Sequence, residues 1–69
     1  MVEVFKTNVR AKGQARQLIE ILSRHFPACK INFDLHDRDK ILRIEGDHFL
    51  VESVRMIVEE NGCACEILE

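Results

Sequence analysis

From Lys30 to His36 the side chains alternate in character. Ile31, Phe33 and Leu35 fall on one side, and Asn32, Asp34 and His36 on the other. A period of two over seven residues specifies a strand with one covered face. The polar run Asp37-Arg38-Asp39-Lys40 is turn material, and Ile41 to Glu45 follows with Leu42 and Ile44 on one face. A hairpin is therefore expected at the centre of the chain. Its covered face needs something to cover it, which the flanking segments supply.

Before the hairpin, Ala11, Ala15, Leu18, Ile19, Leu22 and Phe26 recur three and four apart and predict a helix running to about His25. Pro27 stops it, because the residue before a proline is pushed out of helical dihedrals. Thr7 or Asn8 is the expected N-cap. Gly13, near the start, costs roughly 1 kcal/mol relative to alanine. After the hairpin, Leu50, Val51, Val54, Ile57 and Val58 predict a second helix, with Asp47 as N-cap and Gly62 as the stop. Val2 to Lys6 reads as a strand that opens the chain. Cys63 to Leu68 reads as one that closes it, with Cys63, Cys65 and Ile67 on one face.

The expected order is strand–helix–strand–strand–helix–strand. Right-handed crossovers bring both helices to one face of the sheet. The predicted fold is thus α+β: a ferredoxin-like βαββαβ sandwich, with a four-stranded antiparallel sheet and two helices on one face. The chain has 69 residues, so residues 1–69 make a single domain. A domain this small buries only about 60% of its unfolded surface and has little room for a deep pocket.

Composition removes several functions. Ten basic and twelve acidic side chains are spread along the chain for a net charge of −2, with no basic run or RNA-binding aromatic motif, so no nucleic-acid partner is expected. The N-terminal residues lack a basic start followed by a long apolar run, and no segment reaches membrane-spanning length. A cytoplasmic protein is expected. Three cysteines are too few for a disulfide framework and read as reduced thiols. Neither a nucleophile–base pair in a recognisable context nor a phosphate-cradling glycine loop is present, so no enzymatic activity is expected.

Element order, length, the apolar stripe of the first helix and the closing Asn61-Gly62-Cys63-Ala64-Cys65-Glu66-Ile67-Leu68 together resemble the heavy-metal-associated (HMA) domain of copper chaperones and metal-transporting ATPases. The resemblance covers essentially the whole chain. The family signature, Gly-Met-x-Cys-x-x-Cys, lies between the first strand and first helix, where two thiolates hold a soft ion. Alignment on Leu18, Ile21 and Leu22 sets Asn8-Val9-Arg10 against Gly-Met-x, and Ala11 and Gln14 against the two cysteines. Alanine cannot ligate, and an amide is a poor ligand for a soft metal. The resemblance implies the family's fold with a degenerate metal loop.

Three readings follow. In the first, the chain is a small binding module, with no cofactor, that meets an acidic protein surface through Arg10, Lys12 and Arg16; an exposed sheet edge can also support a homodimer. In these metal chaperones the corresponding surface meets the partner domain. In the second, a copper or zinc site has moved to Cys63, with His36 as a further ligand, because the topology gathers His36, Asp37, Asp39 and Cys63 at one end. The competing role of Cys63 and Cys65 is core packing. His25, Cys29 and His48, at the opposite end, are zinc-like in type but have no fixed local spacing. In the third, an ACT-like regulatory domain binds a small ligand between paired copies.

Overall fold

The computed structural model describes residues 1–68, so the last residue of the expected domain, Glu69, lies outside the described residues. Four strands and two helices follow in the expected order: β1 (Val2–Thr7), α1 (Lys12–His25), β2 (Lys30–Asp34), β3 (Ile41–Glu45), α2 (Val51–Glu60) and β4 (Cys65–Ile67). The sheet is antiparallel throughout, in the order β2-β3-β1-β4. Phe5 lies opposite Leu42 and Ile67, and Ile31 opposite Ile44.

That register settles which face is covered. Phe5 and Thr7 of β1, Leu42 and Ile44 of β3, and Cys65 of β4 are all buried on one side. The helices bring Ala15, Leu18, Leu22, Val54 and Val58 onto it. Val2 and Val4 lie on the other face with Lys6, Arg43 and Glu66. Among the described residues, no helix is long and apolar enough to cross a membrane.

Several local expectations are corrected. The N-cap of α1 is Ala11, with no side-chain cap, and Ala11 is exposed rather than part of the stripe. Thr7 and Asn8 spend their side chains on distant backbone instead: Thr7 Oγ1 donates to the Lys40 carbonyl, and Asn8 Oδ1 accepts from Ala64 N at 2.8 Å. Asp47 does not cap α2, which begins at Val51 with Leu50 at the N-cap position. Leu50 is 73% exposed, and Phe49 takes the core place at 8%, edge-on to Phe26 with ring centroids 6.3 Å apart. β2 ends at Asp34, where Asp34 Oδ1 accepts from His36 N at 3.1 Å and turns the chain. β4 begins at Cys65, although Cys63 just before it is buried too.

The end of α2 agrees with expectation. Gly62 has φ +85°, its N–H bonds to the Glu59 carbonyl at 3.0 Å, and Cys63 N bonds to the Val58 carbonyl at 3.3 Å. This pair of bonds is the Schellman motif, which satisfies carbonyls that a helix end would otherwise leave free.

Candidate interaction surface at the β1–α1 loop

The loop joining β1 to α1 is fixed at three successive residues. Val9 is fully buried and acts as its apolar anchor. Its N–H bonds to Thr7 Oγ1 at 3.2 Å, and that same hydroxyl reaches Lys40. Asn8 ties the loop to the segment before β4 through Ala64. Thr7 N also bonds to the Asp39 carbonyl at 3.0 Å, so the β2–β3 turn supports the loop from the other side. A loop held at adjacent residues by non-local bonds has lost most of its freedom before it meets anything else.

On this frame Arg10, Lys12 and Arg16 are all exposed. Among the described residues, none of the three forms an ion pair; the pairs present are Lys6–Asp39, Arg43–Glu45 and Arg55–Glu52. Glu20 and the acidic residues of α2 (Glu52, Glu59 and Glu60) are exposed as well. The first turn of α1 holds no acidic side chain.

Of the two positions that the HMA resemblance aligns with cysteines, Ala11 is exposed and only Gln14 makes a side-chain contact. Gln14 Nε2 donates to Cys63 Sγ at 3.0 Å, across 49 residues of chain. Cys63 is 5% exposed and lies at the edge of a cleft of about 380 Å³ between α1 and the end of α2, lined also by Gln17, Arg24 and Asn61. His36 lines a second groove of about 360 Å³ on the other flank of α1, with Lys12 and Arg16 at its lip and Ile19, Phe33 and Leu35 along it. Cys63 and His36 thus face different cavities. Among the described residues, no group of three or more His, Cys, Asp or Glu side chains is placed to hold a metal ion.

The acidic turn is occupied locally. Asp37 Oδ1 accepts from Asp39 N at 2.9 Å, and Lys40, at φ +48°, sends its Nζ to the Leu35 carbonyl at 2.9 Å. Such side-chain-to-backbone bonds are how aspartates build turns. At the opposite end, His25 Nδ1 lies 3.0 Å from the Ile21 carbonyl in the last turn of α1. Cys29 is partly buried, with its sulfur packed over Gly46.

Cys65, 1% exposed, has its thiol pushed up to about 12, chiefly by burial; the Arg55 charge opposes this, and Glu59, Cys63 and Glu66 add to it. Arg55 joins this strand to α2, donating from Nε to the Cys65 carbonyl at 3.2 Å and from a terminal guanidinium nitrogen to Glu52 at 3.0 Å. Sequence reasoning did not find the Gln14–Cys63, Asn8–Ala64 or Arg55–Cys65 contacts. Each joins residues far apart in the chain or on different elements, and no periodicity reports such pairs.

Compared with known protein families and with curated proteins, the chain matches no family model and no curated sequence.

Proposed function

We propose that this chain is a small cytoplasmic interaction module of HMA-like fold, without catalysis, that binds an acidic protein surface through Arg10, Lys12 and Arg16. The observation that carries the reading is the pairing of a preorganised loop with three exposed cations that have no acidic partner among the described residues. A rigid loop loses little entropy on docking, and unpaired surface charge steers encounter with a surface of opposite sign. Gln14 and Ala11, at the positions where the family resemblance sets metal ligands, favour docking by direct contact rather than through a shared ion.

The test is an NMR titration of the labelled protein with a glutamate-rich peptide as a generic acidic probe. Chemical-shift changes are expected to centre on residues 9–16 and to fade as salt is raised. The variant Arg10→Glu/Lys12→Glu/Arg16→Glu should show none of them. Shifts of equal size in that variant, or shifts confined to another surface, would refute the assignment.

A further inference from the structure

We propose that β2 is a self-complementary edge through which two copies of this chain join their sheets, antiparallel and about a twofold axis at Asn32. β2 pairs with β3 on one side only, so its other side carries unpaired backbone donors and acceptors. Edge strands with free backbone groups are templates for pairing unless something blunts them. The edge at β4 is only three residues long, whereas β2 offers five, with no proline or glycine.

The sequence of this edge is Lys30-Ile31-Asn32-Phe33-Asp34. Antiparallel pairing with a second copy about Asn32 sets Lys30 opposite the second copy's Asp34, and Asp34 opposite its Lys30. Ile31 then meets Phe33 in both directions, and Asn32 meets its own copy. Every pair is favourable: opposite charges, an aromatic with a β-branched side chain, and two amides that can hydrogen-bond. A twofold interface requires this kind of reciprocity, in which residue i meets j and j meets i.

The surroundings fit the pairing. Lys30, Asn32 and Asp34 are exposed on the open face, and neither Lys30 nor Asp34 takes part in an ion pair among the described residues. Asp34 uses Oδ1 for His36 N, which leaves its second oxygen for a lysine. Ile31 and Phe33, on the helix side, are only partly buried against the core, and Phe33 lines the open groove beside α1. A second copy's Ile31 and Phe33 would extend that core across the joined sheets. Lys12 and Arg16 border the groove that Phe33 lines, but the strand pairing uses neither, so exchanges at Lys30 and Asp34 test it apart from the β1–α1 loop.

The experiment is sedimentation equilibrium of the full chain at concentrations up to about 1 mM, with charge exchanges along the edge. Wild type is expected to dimerise. Lys30→Asp, with two aspartates per edge, and Asp34→Lys, with two lysines, should each weaken self-association by at least about tenfold while remaining folded by circular dichroism. An equal mixture of those two variants restores both charge pairs and should form a mixed dimer. The double exchange Lys30→Asp/Asp34→Lys should dimerise with itself. A wild type that stays monomeric overturns the proposal. So do single exchanges that dimerise as well as wild type, or a mixture and double exchange that both fail to recover it.

Discussion

The Gln14 side-chain amide donates to the Cys63 sulfur at 3.0 Å, and this one contact closes the start of α1 onto the segment leading into β4. Gln14 is exposed and Cys63 is 5% exposed, so the amide partly covers the thiol. Gln14→Ala is expected to raise the labelling rate of Cys63 by a small maleimide in native protein well beyond that of Cys65, whose rate follows only the loss of stability, no more than about 1 kcal/mol. Mass spectrometry of labelled peptides over time measures both rates. Equal rates in the variant and wild type would show that the amide does not protect the sulfur.

The three thiols should differ in wild type as well. Cys29 is partly buried near the surface, whereas Cys63 and Cys65 belong to the core cluster. Cys29 should label first, and the other two only as fast as the structure opens. Rapid labelling of Cys63 and Cys65 without unfolding would contradict their placement.

Burial of Cys65 also sets an alkaline limit. Its thiol, ordinarily at 9.0, is raised to about 12 in the folded chain. The folded state therefore holds a proton that the unfolded state releases, so this stability is intact below pH 9 and is lost as pH rises from 9 towards 12. Denaturant melts at several pH values should show stability falling over that window, with a shallower fall in Cys65→Ala. That variant is also less stable at neutral pH, because it removes a packed sulfur. An unchanged alkaline slope would rule out the thiol as its source.

Two glycines are required for different reasons, and substitution should separate them. At Gly62 an added Cβ meets nothing within 4 Å, but φ is +85°, so Gly62→Ala pays for backbone conformation alone, about 1–2 kcal/mol. At Gly46 an added Cβ would overlap the Cys29 sulfur, so Gly46→Ala should cost about 1–3 kcal/mol by overpacking. Cys29→Ala in the same chain removes the obstructing atom and should recover most of that loss; it should recover none of the loss at Gly62. Thermal melts of the single and double variants measure the coupling.

The element order was legible because each element carries its own period. The alternation of Ile31, Phe33 and Leu35 marked β2, the spacing of Leu18 and Leu22 marked α1, and Gly62 marked the end of α2. Errors collected where the period stops. Leu50 fits the α2 stripe by spacing, but it precedes the first helical residue, so the helical period no longer fixes its direction; Phe49 finds the core through Phe26 instead. Ala11 fails for the same reason at the start of α1. Thr7 and Asn8 have the chemistry of caps, but tertiary partners at Lys40 and Ala64 outcompete the local role. For the surface, the sequence named the cations Arg10, Lys12 and Arg16, while the bonds that hold their loop are non-local and carry no signal in spacing.

Contact docking through the β1–α1 loop, with Ala11 and Gln14 at the positions where the HMA resemblance expects metal ligands, is the mode of action we propose. It is tested most directly by titrating reduced wild type and Ala11→Cys/Gln14→Cys with Cu(I) against a competing chromophoric chelator. Wild type is expected to withdraw no metal, and the double variant to withdraw one ion per chain through its two added thiols. A wild type that withdraws one ion, and loses it in Cys63→Ala, would contradict the claim and move the metal site to Cys63. A double variant that binds no better than wild type would show that the loop does not have a metal loop's frame.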